Sequence, residues 1–386
     1  MRVLFINHTA KKSGAGISLG TLVRNFSAAV QPHFLLRRGS EVDEILGVGD
    51  HPAMHVRFIS QTMTTMYGQG LPFWQFAWQL VKAPYSAARV WALCRRWKIE
   101  VVHINETTLL ADAWGAAWAG VPVFIHARTA CLLRPFERHF LEATGRLSAV
   151  RFLAIDGEVR ESLPAVCRKT CEVVHNPITL GPPPESSEVE ALRSAWGVKV
   201  GGVVVGQAAS LHPEKGVWEI LDLAAATRGS LPDAKFVLVG DPSAPMGIGP
   251  QLAEAIRSRA LGDRVVLAGY ESRLALVYGA FDIALCLFGG GLGGVGRAAY
   301  EAGLSGKPLV ATLPDPARST TLEDGVSGLL FTPDDHQGIR AAIEHLVADA
   351  GRRKSLGEAA QAALSRRHDP REVAARVEAI YQDSLR

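Results

Sequence analysis

The chain has 386 residues, of which 48% are hydrophobic and 20% charged, and this composition excludes a disordered protein. With 41 basic and 38 acidic residues, its formal net charge of +3 does not indicate nucleic acid as a partner. At roughly 150 residues per domain, the length predicts two domains. Five cysteines without a paired metal-binding motif predict reduced thiols in a cytoplasmic protein.

Short runs of Val, Ile and Leu alternate with longer Ala-rich segments along the chain. The first residues run directly into such a strand without the features of a signal peptide, and no apolar stretch reaches the ~20 residues that span a bilayer. The alternation predicts parallel strands joined by crossover helices, and so two doubly wound α/β sheets. The predicted strands are residues 3–6, 101–104, 123–126, 203–206, 236–240, 265–268, 283–287 and 309–312.

A proline-rich segment separates the two sets of strands. The prolines of residues 182–184 fix φ and exclude a helix or a central strand, so we place a domain boundary at this segment. The predicted domains are residues 1–178 and 179–368. Residues 369–386 carry apolar positions at helical spacing, which predicts a C-terminal helix that packs back on the first domain.

Glycines and polar residues follow predicted strands in the first half. The sequence SGAGISL leads from the first strand into a helix through Gly14 and Gly16. His126 and Arg128 stand where a later strand ends, at the edge where open α/β sheets bind ligands. Each of these residues also has a purely structural interpretation: a plain turn, a structural histidine or a surface arginine.

Residues 71–98 mix tryptophans with lysines and arginines over a stretch compatible with a helix, which Pro84 is expected to break or kink. One interpretation is peripheral contact with the inner face of a membrane or with a lipid-linked acceptor, since tryptophan and basic residues suit such an interface. The other is buried packing of the tryptophans, which we favour because tryptophan is highly buried on average.

The most informative stretch is residues 287–312, where a strand, a glycine loop and a short helix beginning near Gly296 follow one another. Gly306 suits the helix C-terminus, and Pro308 leads into the next strand. Glycines let the backbone approach a ligand closely, and a helix N-terminus offers free NH groups to an anion. This pattern fits either a diphosphate site lined by Gly293, Gly294, Val295, Gly296 and Arg297 or a tight strand-to-helix connection without a ligand.

The spacing G-R-x-x-x-E-A-x-x-x-G-K-P-x-V-A-T from Gly296 resembles the signature helix of the family-4 retaining glycosyltransferases, which have the GT-B fold. Similar motifs occur in the family's order: P-E-K-G at 213–216, V-G-D at 239–241, G-Y at 269–270 and a hairpin-like E-D-G-x-x-G-L-L at 323–330. Together they span most of residues 201–335. The resemblance implies two Rossmann-like domains facing each other across a cleft.

The resemblance also implies roles for single residues. Lys215 would contact the donor diphosphate and stabilise the charge that develops on the leaving group. Glu301 would hold the ribose hydroxyls, His126 would reach the donor sugar, and the loop at Tyr270 would hold the base. The catalytic residues implied are His126, Lys215 and Glu301. The donor-binding residues implied are Gly14, Gly16, Ser210, Lys215, Tyr270, Gly293, Gly294, Val295, Gly296, Arg297 and Glu301.

Two positions depart from the family pattern. Gly293 stands where the first glutamate of E-x7-E precedes Glu301, and Ser210 stands five residues before Lys215, where many members have an arginine. Our hypothesis is that Arg297 or the NH groups of the glycine loop compensate. Since the sequence contains no Asp-x-Asp triplet, we expect a reaction without a metal ion or other cofactor.

The sequence therefore predicts a retaining glycosyltransferase that uses a nucleotide-sugar, with UDP or GDP as the nucleotide. The acceptor would be a glycan, a lipid-linked sugar or a small molecule, in cell-surface glycan or glycosylated-metabolite biosynthesis. The alternative is a catalytically impaired GT-B-fold protein that binds nucleotide-sugars or acts as a scaffold, because of Gly293. An NAD-dependent oxidoreductase is disfavoured, since the first βαβ unit lacks a well-placed G-x-G-x-x-G.

Overall fold

The computed structural model describes residues 1–9, 13–38, 42–61, 73–131, 133–243, 247–287 and 295–386. The chain forms two compact units, Met1–Thr179 with Arg367–Arg386, and Leu180–Arg366. Each unit is built on a parallel sheet with flanking helices. In the described part of the chain, no helix combines the length and the apolar character needed to cross a membrane.

Within its described residues, the first unit has seven parallel strands: β1 (Arg2–Asn7), β2 (Gln31–Arg37), β3 (Ala53–Val56), β4 (Val101–Ile104), β5 (Val123–Ala127), β6 (Val150–Ala154) and β7 (Cys171–Val173). They pair in the order β3-β2-β1-β4-β5-β6-β7. Its first helices are α1 (Gly14–Arg24), α2 (Val42–Leu46), α3 (Phe73–Trp97), α4 (Leu110–Trp118), α5 (Pro135–Gly145), α6 (Gly157–Ser162) and α7 (Ala165–Arg168).

The second unit has six parallel strands in its described residues: β8 (Val204–Ala208), β9 (Lys235–Val239), β10 (Val265–Gly269), β11 (Ile283–Cys286), β12 (Leu309–Thr312) and β13 (Leu329–Phe331). They pair in the order β10-β9-β8-β11-β12-β13, the doubly wound order of dinucleotide-binding folds. Its helices are α8 (Ser186–Ala195), α9 (Val217–Ala226), α10 (Gly249–Ser258), α11 (Leu274–Ala280), α12 (Gly296–Leu304), α13 (His336–Ala348) and α14 (Ala350–His368).

The strands of the first sheet are buried on both faces. Along β1, Leu4 and Ile6 enter one hydrophobic cluster, and Val3 and Phe5 enter the cluster on the opposite face. Successive side chains of a strand point to opposite faces, so an apolar run without alternation is what a sheet covered on both sides requires. This is why the strands appear in the sequence as short continuous runs of Val, Ile and Leu.

The last helix, α15 (Pro370–Ser384), belongs to the first unit. Asp369 separates it from α14 and caps it by accepting hydrogen bonds from the backbone NH groups of Arg371 and Glu372 at 2.9 and 3.0 Å. Val377 and Tyr381 are wholly buried in the same cluster as Phe5 and Phe34 of the first sheet. The end of the chain therefore supplies part of the core of the first unit.

Two expectations about helix α3 are wrong: that Pro84 would break it, and that its tryptophans would be buried. A kink at Pro84 stays a prediction. Helix α3 continues from Phe73 to Trp97 with Pro84 inside it, and Trp74, Trp78 and Trp91 are exposed. Pro84 is itself exposed, so water can satisfy the carbonyl group that it leaves without a donor, and the opposite side of the helix packs on α4. These three tryptophans lie away from that contact, whereas Trp97 at the end of the helix packs on the core.

The expected hairpin-like element at residues 323–330 is also not a hairpin. Strand β13 pairs in parallel with β12, and Asp324 bridges to Gly328 within the connection. The Asp324 carboxylate accepts a hydrogen bond from the backbone NH of Leu330 at 2.8 Å, and Gly325 has φ of 73°. The segment is thus a tight connection that leads into β13, a parallel strand at the edge of the sheet.

Candidate active site

The second sheet has a topological switch point between β8 and β11. These strands are neighbours, but the chain leaves β8 towards β9 and leaves β11 towards β12. The connections therefore turn to opposite faces, which opens a crevice at the carboxyl ends of the two strands, where open α/β sheets bind ligands. The loop after β8 carries Lys215, and the segment after β11 leads into α12.

The loop after β8 is held tightly against the end of β11. Residues Pro213–Lys215 form one 3-10 turn, which ends at Gly216 with φ of 69°. A Cβ atom at Gly216 would overlap the carbonyl of Leu287, so only glycine fits there. The side-chain amide of Gln207 donates a hydrogen bond to the carbonyl of Lys215 at 2.7 Å. Lys215 is therefore presented from a fixed backbone.

The Lys215 ammonium stands in a poorly hydrated position. Burial lowers its pKa below the ordinary lysine value, while Cys286 and Glu214 nearby act in the opposite direction. A cation that has lost much of its hydration gains more from a bound anion than an exposed cation does. A diphosphate bound here would restore the pKa of this group.

Glu301 is buried on α12 and held by two side chains. The Nε atom of Arg297 donates to one carboxylate oxygen at 2.6 Å, and the Tyr278 hydroxyl lies 3.3 Å from the other. Burial raises the pKa of Glu301, and the hydrogen bonds and charge of its two partners oppose that shift. Arg297 was our candidate to replace the arginine that is missing at Ser210. In this structure its guanidinium binds the Glu301 carboxylate.

The structure brings Lys215 and Glu301 into one electrostatic environment. Cys286, the last residue of β11, interacts with the charges of both groups. Burial is the main cause that raises the pKa of the Cys286 thiol, so this residue stays neutral. A cation and a carboxylate thus share the switch point.

Three further predicted donor residues, Gly296, Ser210 and Tyr270, follow strands of the same sheet. Gly296 begins α12 with φ of 75°, behind the buried Val295, and the first turn of this helix has no acidic residue. Its NH groups carry the positive end of the helix dipole. Ser210 and Tyr270 are exposed in the loops after β8 and β10. Gly293 and Gly294 lie outside the described residues.

In the first unit, Gly14 and Gly16 lie in the first turn of α1. The Ser13 hydroxyl accepts a hydrogen bond from the backbone NH of Gly16 at 3.1 Å, so that NH group already has a partner. Gly14 is exposed. The first sheet switches direction between β1 and β4, and Asn105 after β4 donates to Asn7 at the end of β1 at 3.0 Å.

Arg128 is buried in a polar cluster at the carboxyl edge of this sheet. Its Nε atom donates to the Asn105 side chain at 2.9 Å, and its Nη1 atom donates to Asn176 at 2.6 Å. Glu106 is buried beside it; burial raises its pKa, while Thr107 and Arg128 oppose that shift. The sequence showed Asn105 and Glu106 as polar residues at a strand end, but they and Asn176 were not among the predicted site residues.

His126 is wholly buried on the face of the sheet that α15 covers. Its ring centre lies 5.3 Å from that of His103, whose Nδ1 atom lies 2.5 Å from the Tyr381 hydroxyl. Burial, with help from Arg128 and His103, holds its pKa well below the ordinary histidine value. Contact of His126 with a donor sugar stays a prediction, and the imidazole has no exposed surface in this structure.

Residues 188–363 match the family described as glycosyl transferases group 1. In fold, the chain is similar to HepE of Anabaena in complex with UDP, with a TM-score of 0.80 and 21% identity over 99% of this chain and 100% of that one. It is also similar to a glycosyltransferase of Rickettsia africae ESF-5, with a TM-score of 0.78 and 14% identity over 100% and 98% of the two chains. It is similar too to the sucrose-phosphate synthase of Thermosynechococcus elongatus, with a TM-score of 0.71 and 15% identity over 99% of this chain and 98% of that one. No curated protein matches the sequence.

These likenesses define the class: the chain has the GT-B fold, with two Rossmann-like units, as the sequence predicted. The family match covers nearly all of the second unit, which carries Lys215 and Glu301. This unit is therefore similar to the glycosyl transferases group 1. Its narrower placement in family 4 stays a prediction.

Proposed function

We propose that this protein transfers a sugar from a UDP-sugar to an acceptor hydroxyl. The observation that carries the proposal is the position of a poorly hydrated Lys215 and a fixed Glu301 on the two segments that flank one switch point of the second sheet. HepE of Anabaena, which has the same fold, was crystallised with UDP and with UDP-glucose. This supports uridine diphosphate as the nucleotide over guanosine diphosphate.

In this proposal, Lys215 and the N-terminus of α12 bind the diphosphate. Lys215 is presented from a fixed backbone and α12 adds the positive end of its dipole, so both stabilise the charge that builds on the departing nucleotide. They take the electrostatic role that a divalent ion has in other sugar transferases. We therefore expect transfer without a metal, and activity that survives a chelator.

Glu301 binds the ribose. A carboxylate has about four acceptor positions, and the contacts with Arg297 and Tyr278 occupy one on each oxygen. We assign the others to the two ribose hydroxyls. Because its partners hold the carboxylate in place, Glu301 needs little rearrangement to accept them.

The reaction retains the configuration of the sugar. The bond between the sugar and the nucleotide breaks, the acceptor hydroxyl attacks from the same face, and an oxygen of the departing phosphate takes the hydroxyl proton. We assign the acceptor to the first unit, as a glycan, a lipid-linked sugar or a small molecule, for cell-surface glycan or glycosylated-metabolite biosynthesis. All five cysteines are free thiols, which supports a cytoplasmic location.

Slow hydrolysis of the donor without acceptor tests the transfer. The wild type is incubated with UDP-glucose, UDP-galactose, UDP-N-acetylglucosamine and GDP-mannose, and the released nucleotide is measured with and without EDTA. We expect Lys215→Met to lower the rate by about 10² to 10³, the usual loss for one such group. Lys199→Met is the matched control, because Lys199 is exposed and paired with Asp233.

The anomer that is released first, followed by NMR, tests retention: an α-linked donor should release the α sugar. UDP that neither stabilises the protein thermally nor appears as a hydrolysis product would overturn the proposal. UDP binding without any hydrolysis or transfer would instead support the impaired, binding-only alternative.

A further inference from the structure

Helix α3 exposes a row of large apolar side chains. Trp74, Trp78, Val81 and Tyr85 are 67, 56, 68 and 62% exposed. Their spacing of four, three and four residues places them along one side of the helix. We name these four residues the α3 stripe. Soluble proteins rarely leave contiguous apolar patches of this kind uncovered.

The opposite side of α3 is firmly packed. Ala87, Val90 and Leu93 are buried there, and no Cβ atom would fit at Gly115 of α4 against the Ala87 carbonyl. The buried Ser86 hydroxyl donates to Asp112 of α4 at 2.7 Å. The helix is therefore docked by its small residues, and the α3 stripe points away from that contact.

The same helix is basic throughout. Its 25 residues include no Asp or Glu, four of the eight tryptophans of the chain, and the basic residues Lys82, Arg89, Arg95 and Arg96. The Lys82 ammonium lies 4.8 Å from the Trp78 ring centre, a cation–π contact. Arg95 and Arg96 are exposed, and neither forms an ion pair within the described part of the chain.

Aromatic and basic residues on one exposed helix fit the interface of an anionic bilayer. Tryptophan and tyrosine rings settle at the level of the lipid headgroups, and lysines and arginines are attracted to anionic lipids. A helix of 25 residues is about 37 Å long, enough to lie along such a surface. A second copy of this chain fits less well, because two basic helices would repel each other.

We propose that the α3 stripe docks the first unit on an anionic phospholipid membrane. The helix lies in the plane of the interface, its stripe enters the headgroup region, and Arg95 and Arg96 contact lipid phosphates. Since this surface contains none of the residues that we assign to the donor, the proposal stands whether or not the sugar transfer does.

Co-sedimentation of the full chain with vesicles tests the docking. Vesicles of phosphatidylcholine with 30% phosphatidylglycerol should bind the protein, and pure phosphatidylcholine should bind it at least about tenfold more weakly. Trp74→Ala with Trp78→Ala should lower the partition coefficient by about tenfold or more, because two large side chains no longer leave water. Arg95→Gln with Arg96→Gln should lower it by about 25-fold on anionic vesicles only, at about fivefold per basic residue.

Trp91→Ala is the control, since Trp91 is exposed on the same helix but lies roughly 110° around its axis from the stripe. It should change binding by less than about twofold, and every variant should keep the circular dichroism and UDP stabilisation of the wild type. Equal binding of the Trp74 and Trp78 double variant, or an equal loss in Trp91→Ala, would overturn the proposal. A dimer seen by light scattering and lost in Trp78→Ala, without vesicle binding, would overturn it in favour of contact between copies.

Discussion

Gln207 and Lys215 are joined by a hydrogen bond of 2.7 Å between the side-chain amide of the first and the backbone carbonyl of the second. Gln207 is buried near the end of β8, and Lys215 lies in the loop that follows. The bond fixes the loop from within the sheet, so the position of the ammonium depends on a residue that need not touch the substrate.

Replacing Gln207→Leu should loosen this loop. Leucine cannot donate to the Lys215 carbonyl, and leaving such a group without a partner costs about 1–3 kcal/mol in the free energy of unfolding. Donor hydrolysis should show a lower kcat, with a smaller change in KM, because the group displaced acts on the leaving nucleotide. Urea unfolding and steady-state kinetics measure the two effects, with the exposed Gln251→Leu as control. Unchanged stability and kcat would show that the bond is dispensable.

Glu301→Gln should weaken binding of the nucleotide. The amide keeps the shape and can still accept a hydrogen bond from Arg297, but it lacks the charge that strengthens hydrogen bonds from ribose hydroxyls. Since a hydrogen bond to a charged group contributes about 1.5–3 kcal/mol, the dissociation constant of UDP should rise about 10- to 100-fold by calorimetry. The exposed Glu190→Gln serves as control. An unchanged affinity would remove Glu301 from the ribose site.

Sequence patterns predicted the fold class and the strands with long apolar runs, and the GT-B fold is confirmed. The strands that they missed are β2, β3, β6, β7 and β13. Strand β2 contains Pro32 and His33, and β7 has only three residues, so neither has a strong apolar period. These segments are strands because a neighbouring strand offers them hydrogen bonds, which is information from elsewhere in the chain.

Prediction of single residues from the sequence has the same limit, because their surroundings come from elsewhere in the chain. The resemblance to the family singled out Lys215 and Glu301, and the structure places them on the segments that flank the switch point between β8 and β11. The burial of His126 could not be foreseen, since it lies on the face of the sheet that α15 covers, and α15 begins more than 240 residues later. Trp78 was predicted to be buried, but it is exposed. The average burial of tryptophan does not say which side of a helix the neighbouring elements cover.

Asp112→Asn should change how stability depends on pH. Burial raises the pKa of Asp112 to about 6, against the hydrogen bond from Ser86 and the charge of Arg89. The folded chain therefore holds this proton more tightly than the unfolded chain, whose aspartate has a pKa near 3.8. Stability is lost as the pH rises from 3.8 through 6, by about 3 kcal/mol in all.

The asparagine variant has no such loss and can still accept the hydrogen bond from Ser86. Its free energy of unfolding should match the wild type near pH 3.8 and exceed it by up to about 3 kcal/mol at pH 8. Urea unfolding across this range measures the difference, with the exposed Asp50→Asn as control. A constant difference at all pH values would show that Asp112 does not titrate in this range.

His126→Leu separates a structural role from contact with the donor. The pKa of His126 is lowered in the folded chain, so the unfolded chain takes up a proton near pH 6.5 that the folded chain refuses. Stability is therefore lost as the pH falls below 6.5, at about 1.4 kcal/mol per pH unit for this residue. The leucine variant should lack the contribution of His126 to this pH dependence of stability, whereas the contribution of His103 should remain. The exposed His139→Leu is the control.

The same variant tests the implied contact with the sugar. Leucine is close in volume to histidine and suits a site that is wholly buried, so the variant should be at least as stable as the wild type at pH 5. A stable variant with donor hydrolysis lowered tenfold or more would require the imidazole to reach the donor, and so a rearrangement around α15. Unchanged hydrolysis would restrict His126 to the core of the first unit.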